Sequence, residues 1–186
     1  MKDKEVFKLC ERCHPDGHTI THVPYDQYLT EVTHQLSHGG VFLTSCKEKN
    51  NTMIMGWGGI TFYWRRPIFI VPVRTSRYTW HAINETGVFT VSVPLRDELK
   101  QAVAFCGSKS GRDFDKFKEC NLTALPGRFV RVPVIGECSL HYECKVLFKQ
   151  TMEPSLLSNE IKNRHYQDLD FHTMFYGEIA ACYTTP

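Results

Sequence analysis

Long apolar runs are missing from this chain of 186 residues. No stretch approaches the roughly 18–20 apolar residues of a membrane span, and the charged start, residues 1–5, lacks the apolar core of a signal peptide. A dominant sign of charge is also missing, because 22 Lys and Arg residues offset 20 Asp and Glu residues and the charges are scattered. We therefore expect a cytoplasmic protein that binds a small molecule, with no membrane and no nucleic acid among its partners.

The signature motifs of several large enzyme classes are missing as well. The chain contains no G-x-G-x-x-G, no G-x-x-x-x-G-K-[ST], no H-E-x-x-H and no G-x-S-x-G. These absences disfavour the standard dinucleotide folds, P-loop NTPases, zincins and α/β-hydrolases. No internal repeat and no Gly/Ser-rich or Pro-rich linker divides the chain, so its length and its 42% hydrophobic content predict one domain with one core.

Eight cysteines are present, but a chain of this length can bury a core without disulfides, so we expect reduced thiols. Two of them form a C-x-x-C-H pattern at residues 10–14, within a lead-in that we place at residues 1–24, ahead of a domain at 25–186. The pattern is typical of c-type haem attachment, and with His18 and His22 at fourth-residue spacing it could also bind zinc. We expect no resident metal, and a metal-binding redox sensor stays an open alternative.

Hydrophobic spacing predicts one helix near the start of the domain and then mostly strands. Apolar residues recur at three and four positions between Tyr25 and Leu36, which is typical of an amphipathic helix, and His38-Gly39-Gly40 would end it. Later segments are rich in β-branched and aromatic residues, and short helices interrupt them without regular alternation. This pattern predicts a mainly β protein, a β-barrel of about seven strands with short helical insertions. Predicted strands lie at 41–44, 52–62, 67–74, 88–93, 138–148 and 172–183, and predicted helices at 77–86, 95–105 and 111–119.

Two segments near the C-terminal end have distinct patterns. Apolar and polar residues alternate through 138–148, which predicts a strand with one buried face and one wet face that carries His141 and Glu143. Residues 153–171 are polar and predict a long excursion between the last two strands. Loops of this length are often used as a lid or as a contact with a partner.

The stretch Val73-Arg74-Thr75-Ser76-Arg77-Tyr78-Thr79 joins a predicted strand to a predicted helix. Ser76 is expected at the N-cap, so free backbone N–H groups, hydroxyls and two guanidinium groups would surround the helix N-terminus. The helix dipole and the arginine side chains favour a phosphate there. An ordinary N-cap beside two solvated arginines is the alternative that these residues leave open.

Two further stretches have the composition of ligand-binding loops. Residues 105–113 are small and flexible and end at a predicted helix start, where Ser110 would be the cap. Residues 51–59 form a predicted strand whose glycines allow a flat ligand to approach the backbone, with Trp57 beside it. The first stretch is also typical of a capping box with a buried thiol, and the second of a bulged core strand.

Four segments, in this order, resemble the flavin reductase-like, flavoredoxin-type family. They are 52–57 (Thr-Met-Ile-Met-Gly-Trp), 74–79 (Arg-Thr-Ser-Arg-Tyr-Thr), 105–117 (Phe-Cys-Gly-Ser-Lys-Ser-Gly-Arg-Asp-Phe-Asp-Lys-Phe) and 172–178 (His-Thr-Met-Phe-Tyr-Gly-Glu). Each segment is modest alone, but their order and spacing make the match specific. Thr75 stands where the family usually has Pro, and the Cys/His-rich lead-in is not typical of the family.

The resemblance implies an FMN-binding split β-barrel that works as a homodimer, with the flavin near the dimer interface. It implies that the first segment lines the isoalloxazine ring, that the second holds the phosphate and ribityl chain, and that the third closes the other side. His172 would lie near the reactive edge of the flavin, where its ordinary pKa near 6.5 would make the rate depend on pH. The implied catalytic residue is His172, and the implied cofactor-binding residues are Thr52, Met53, Ile54, Met55, Gly56, Trp57, Arg74, Thr75, Ser76, Arg77, Tyr78, Thr79, Cys106, Gly107, Ser108, Ser110, Gly111 and Lys116.

We therefore expect an oxidoreductase that passes electrons from NAD(P)H through FMN to an acceptor, in which the protein holds the flavin and the flavin does the chemistry. One alternative is a flavoredoxin-type electron carrier that takes electrons from a partner protein and does not react with NAD(P)H. The metal-binding redox sensor, built on a flavin barrel as scaffold, is the other. The excursion at 153–171 is a second candidate for contact with the partner subunit of the dimer.

Overall fold

Antiparallel strands dominate the computed structural model, which describes residues 19–95 and 99–186. The strands are β1 (Thr21–His22), β2 (Val41–Cys46), β3 (Asn50–Met55), β4 (Gly59–Tyr63), β5 (Arg66–Arg74), β6 (Val88–Val93), β7 (Ala124–Leu125), β8 (Val134–Ile135), β9 (Leu140–Thr151) and β10 (His172–Thr184). The helices are α1 (Leu29–Ser37), α2 (Tyr78–Thr86), α3 (Lys100–Ser108), α4 (Lys116–Glu119) and α5 (Asn159–His165), with a 3-10 turn at Pro154–Leu156.

One sheet contains eight of these strands. Its spatial order is β3-β2-β6-β9-β10-β5-β4, and β1 pairs with the C-terminal end of β10. Seven of the strands in the described residues are longer than two residues, in agreement with the predicted number. A single apolar cluster contains buried side chains from six of these strands and from α1 and α2, so the sheet wraps around its own core. The prediction of a mainly β fold with short helical insertions is therefore confirmed.

The segment predicted as one strand at 52–62 is two strands, because the backbone turns at Gly56-Trp57-Gly58. Gly58 has a φ of 125°, and a Cβ at this position would collide with the carbonyl oxygen of Ile70. The turn joins β3, at one edge of the sheet, to β4, at the other edge. Because only this short turn separates them, the two edges lie close together and the sheet closes into a barrel.

The wet face predicted for 138–148 is wrong for the first part of β9, where His141 and Glu143 are fully buried. Both ring nitrogens of His141 contact hydroxyl groups of neighbouring side chains, at 3.1 and 3.2 Å. The Glu143 carboxylate accepts hydrogen bonds from the backbone N–H groups of residues 128–130 and from the Tyr183 hydroxyl. These partners replace water, so polar side chains can occupy a position that alternation alone assigns to the surface.

The predicted helix at 111–119 is also wrong in its extent. Residues 111–113 form a turn, and α4 begins only after Asp115, whose side chain accepts a hydrogen bond from the Lys118 N–H. Ser110 is therefore not the cap of a helix, and its Oγ accepts a hydrogen bond from the Arg112 N–H inside the turn. The start of the helix predicted at 95–105 falls partly on residues 96–98, outside the described residues, and α3 begins at residue 100.

Residues 19–24, the end of the predicted lead-in, contact the barrel. β1 adds to the end of β10, and Ile20 is buried beside Tyr183 in a small apolar cluster. Residues 19–24 therefore pack as part of the domain. The C-x-x-C-H pattern at 10–14 and His18 lie outside the described residues. The six cysteines within them are free thiols. No helix of the described part is long and apolar enough to span a membrane.

Candidate functional site

A cleft of about 230 Å³ lies where β3 and its following turn meet the C-terminal end of β5 and the start of β10. Its apolar part comes from β3 and from a proline of β5, and its polar part from two arginines and a histidine. The lining residues are Met53, Ile54, Met55, Gly56, Trp57, Pro72, Arg74, Arg77 and His172.

Strand β3 lies at an edge of the sheet, and one side of its backbone borders the cleft. In the described residues β3 pairs only with β2, so the backbone groups on its other side are not used by the sheet. The carbonyl oxygen of Thr52 points to that other side, because it accepts a hydrogen bond from Lys116 Nζ at 2.9 Å. Backbone groups alternate along a strand, so the N–H and C=O of Ile54 also point away from β2. They offer a donor and an acceptor to a flat ligand in the cleft.

Two cations without a carboxylate partner in the described residues stand near this backbone. Arg77 lines the cleft, and Lys116 is buried with its Nζ on the carbonyl oxygens of Thr52 and Cys106, at 2.9 and 2.8 Å. Burial lowers the pKa of Lys116, and the positive charge of Arg77 lowers it further. This end of the cleft is therefore electropositive and suited to an anionic group.

His172 also lines the cleft and is almost fully buried. The register of β5 and β10 sets it directly opposite Arg74, and its ring lies 5.0 Å from the Trp57 ring. The Nδ1 of His172 is 2.8 Å from the Tyr166 hydroxyl. Burial lowers the pKa of His172 to about 4, with a further contribution from the Arg74 charge. This shift departs from the expectation that the side chain titrates near its ordinary pKa, and it favours a neutral His172 at physiological pH.

Two aspartates of the excursion at 153–171 hold the turn between β5 and α2. Asp168 accepts two hydrogen bonds from Arg74, at 3.0 and 2.8 Å. Asp170 accepts hydrogen bonds from the Thr75 hydroxyl, the Ser76 N–H and the Ser76 hydroxyl, at 3.0, 3.1 and 2.6 Å. Three of the residues predicted to hold a phosphate, Arg74, Thr75 and Ser76, thus have carboxylate partners from this chain.

Comparison with known proteins adds to this geometry. Residues 33–186 match the model of a family described as the flavin reductase-like domain. This chain belongs to the flavin reductase-like family. An uncharacterized protein of Archaeoglobus fulgidus is 32% identical over 137 residues, which are 74% of this chain and 67% of that relative.

Solved structures confirm the fold of this flavin reductase-like domain. The flavoredoxin of Desulfovibrio vulgaris (Miyazaki F) is 28% identical, with a TM-score of 0.61 over 77% of this chain and 68% of the flavoredoxin. A split-barrel domain from Shewanella frigidimarina is 17% identical, with a TM-score of 0.59 over 81% of this chain and 70% of that protein. The prediction of a split β-barrel is therefore confirmed. Other structures with this fold are described as FMN-binding.

The cleft of the flavin reductase-like domain brings together eight of the residues predicted from the sequence, namely Met53, Ile54, Met55, Gly56, Trp57, Arg74, Arg77 and His172. Others support it from behind. A Cβ at Gly107 would lie 3.5 Å from the Ile54 Cβ, which packs α3 closely against β3. Cys106 Sγ is 3.9 Å from Cys120 Sγ, and burial raises the pKa of the Cys106 thiol to about 12. Cys106 is therefore a packed thiol and not a reactive thiolate.

The remaining predicted residues lie beside the cleft or are bonded locally. Helix α2 begins at Tyr78, and its N-cap is Arg77, so the placement of Ser76 at the N-cap is wrong by one residue. The Ser76 side chain turns to the excursion because Asp170 offers it a stronger, charged acceptor. Thr79 is buried and accepts a hydrogen bond from Asn51. Three further predicted residues, Tyr78, Ser108 and Gly111, lie outside the lining of the cleft. Tyr78 packs near Gly111, and the Ser108 hydroxyl donates a hydrogen bond to the Ala104 carbonyl oxygen.

Sequence reasoning missed Pro72 of β5 and the contacts that Tyr166, Asp168 and Asp170 make with site residues. Pro72 lies in an apolar strand whose sequence predicts a core position. Its place at the cleft depends on the register of β5 with β10. The excursion was expected as a lid or a partner contact, and its polar composition does not say which side chains turn inward. The sequence did contain one signal. Two aspartates come just before the strand that begins at His172, and two arginines flank the turn after β5, so the opposite charges could pair.

We expect the His172 ring to stay neutral at pH values well below the ordinary pKa of histidine. Tyr166 Oη has a single proton and lies near both His172 Nδ1 and the Met152 sulfur, which is the weaker acceptor. The hydroxyl should therefore donate to Nδ1, so that Nε2 of the ring carries the hydrogen. Nitrogen-15 NMR of the histidine side chains should show this single tautomer down to about pH 5.

The lowered pKa of His172 also predicts how the stability of the fold depends on pH. The unfolded chain protonates His172 near pH 6.5 and the folded chain only near pH 4, so stability should fall as the pH drops between these values. Tyr166→Phe should abolish the single tautomer while the chain stays folded. A doubly protonated His172 ring in the folded protein at pH 6 would contradict the assignment.

Proposed function

We propose that this flavin reductase-like chain binds FMN in the cleft and passes electrons from NAD(P)H through the bound flavin to an acceptor. The observation that carries the proposal is the composition of one cleft. It combines an apolar wall, backbone groups of an edge strand, a neutral histidine and an arginine that has no carboxylate partner among the described residues. The fold shared with FMN-binding proteins supports it.

The chemistry of the cleft fits each part of FMN. Residues 53–57 and Pro72 provide an apolar wall for the ring, and the Ile54 backbone offers a donor and an acceptor to the hydrogen-bonding edge of its pyrimidine. Arg77, together with the field of buried Lys116, suits the phosphate. Trp57 is 46% exposed and stands beside His172, where it can cover the ring.

FMN binding should depend on Arg77. Arg77→Ala should weaken FMN binding by about 1.5–3 kcal/mol, which is the scale of a hydrogen bond to a charged group. The same substitution should leave riboflavin binding almost unchanged, because riboflavin has no phosphate. Titration of flavin fluorescence measures both constants. Arg131→Ala, at an exposed arginine beside a separate cavity, is the matched control and should bind both flavins like the parent protein. Unchanged FMN affinity in Arg77→Ala would remove this residue from the phosphate site.

His172 is the residue that we propose for the reactive end of the cleft. Bound FMN would supply the redox chemistry, since flavin accepts a hydride and passes electrons on. As a neutral ring with hydrogen on Nε2, His172 can donate a hydrogen bond to a carbonyl oxygen of the nicotinamide or the flavin. The Tyr166 hydroxyl and the Trp57 ring fix its orientation, so the donor is in place before the ligands arrive.

Reduction by nicotinamide tests the enzymatic part of the proposal. Under anaerobic conditions NADH or NADPH should bleach the flavin absorbance of the loaded protein, and His172→Ala should slow this step about 10-fold or more while FMN stays bound. His81→Ala, at an exposed histidine of α2, should have no effect. A His172→Ala rate equal to the parent rate would exclude the assigned role.

A flavoredoxin-type electron carrier is the second candidate function. The 28% identity with flavoredoxin over 77% of the chain favours it. The two candidates differ in the electron donor, so FMN-loaded protein that neither NADH nor NADPH can reduce, but that dithionite reduces, would support the carrier. The same result would overturn the reductase proposal.

We also propose that the chain forms a homodimer through an aromatic band on the barrel. Phe62, Tyr63, Trp64 and Phe148 are each between 43% and 59% exposed, and ring contacts through Tyr176 join most of them. Exposed patches of this kind are typical of interfaces. The cleft is smaller than most ligand pockets, and a second subunit would deepen it.

Light scattering should give the mass of a dimer at micromolar concentration. Trp64→Glu should yield a monomer, because it puts a charge into the centre of the band. Phe129→Glu, at an equally exposed aromatic residue outside the band, should remain dimeric. A monomeric parent protein would contradict the proposal, and dissociation by a charge in the excursion alone would move the interface to 153–171.

A further inference from the structure

The backbone turn between β5 and α2 has the donors of an anion site, and one carboxylate of this chain already occupies them. The Thr75 hydroxyl, the Ser76 N–H and the Ser76 hydroxyl all donate to Asp170, at distances of 2.6 to 3.1 Å. The side chain of Asp170 is only 18% exposed. Its two oxygens therefore stand where two oxygens of a bound phosphate would stand.

The neighbouring arginine of this turn is occupied in the same way. Arg74 donates to both carboxylate oxygens of Asp168 and to the His165 carbonyl oxygen, at 2.7 to 3.0 Å. The guanidinium group also stacks over the Tyr166 ring, 5.4 Å from its centroid. Two aspartates and an aromatic residue thus hold the end of the excursion against the turn.

Both aspartates remain negatively charged at neutral pH. Burial raises the pKa of Asp170, but the hydrogen bonds from Ser76 and Thr75 outweigh burial and the net pKa is lowered. The backbone hydrogen bond from Asp170 lowers the pKa of Asp168. A phosphate dianion that approached the same donors would meet these charges at close range, and like charges at such distances repel strongly.

We propose that Asp170 sets the selectivity of the site between phosphorylated and unphosphorylated flavins, by holding the Thr75 and Ser76 donors as an internal anion that the FMN phosphate must displace. This inference rests on the proposed function. It makes Asp170 a residue that lowers the preference for FMN over riboflavin. When FMN does bind, the phosphate takes the donors of the turn and the segment 166–170 loses one of its two carboxylate anchors.

An alternative role for Asp170 predicts the opposite result. If Asp170 only shapes the turn so that Arg77 can bind the phosphate, its loss should weaken FMN binding. If Asp170 merely stabilises the fold, its loss should change the affinity for FMN and for riboflavin by the same factor. The ratio of the two affinities therefore separates these roles.

The decisive variant is Asp170→Asn, which keeps the size of the side chain and removes its charge. FMN affinity should rise about 10-fold, the scale of one hydrogen bond to a charged group, and riboflavin affinity should change less than about 2-fold. The matched control is Glu160→Gln, which removes one charge from the same excursion at an exposed site of α5 and should leave both affinities unchanged. Weaker FMN binding, or an equal change for both flavins, would overturn the proposal.

A second measurement uses the unaltered chain and does not depend on how the variant folds. Hydrogen exchange of the backbone amides in 166–170 should become faster when FMN is added, because the phosphate displaces Asp170, and should stay the same when riboflavin is added. Unchanged exchange with saturating FMN would show that Asp170 is not displaced. A parent protein that binds neither flavin would instead refute the proposed function, so the two failures are distinguishable.

Discussion

The antiparallel pairing of β5 with β10 is the interaction on which the site depends. Its register places His172 opposite Arg74 and carries the pairing through to Glu178 opposite Ile68. Because side chains alternate along a strand, a shift by one residue would exchange the buried and outward faces of the strand that shifts. Buried residues such as Val71 and Phe175 resist that shift, so the barrel core determines where the polar groups of the cleft stand. The geometry of the cleft is thus a consequence of apolar packing.

Charge is distributed unevenly around this framework. Arg74 has two aspartates beside it, whereas Lys116 is buried against two carbonyl oxygens without a carboxylate, and Arg77 stands unpaired in the cleft among the described residues. A buried cation with only neutral partners is costly, and an incoming anion would relieve that cost. Arg74, which has carboxylate partners, serves the structure of the turn. Arg77 and Lys116 have no carboxylate partner in the described part of the chain and would suit an anionic group of a ligand.

The sequence predicts those parts of the fold that depend on local pattern. Alternation and β-branched residues locate the strands. Three of the four segments of the family resemblance line the cleft, and the segment 105–117 packs behind it. The failures come from contacts between distant segments. The burial of His141 and Glu143 depends on loops that cover β9, and the position of Ser76 depends on Asp170. These contacts leave no local pattern in the sequence. A prediction from the sequence therefore places such polar side chains at the solvent-exposed surface or at a helix cap.

The edge of the sheet at β3 connects the fold with the ligand. An exposed edge strand invites pairing with another chain, and proteins usually cover it. At Thr52 the cover is internal, since the Lys116 ammonium binds the carbonyl oxygen and helix α4 lies against the strand. At Ile54 the backbone faces the cleft, and the glycine turn that follows lets β3 stop there. A flat ligand with a hydrogen-bonding edge would complete the pairing that no strand provides. The proposed binding site is therefore the part of the sheet edge that the described residues leave open.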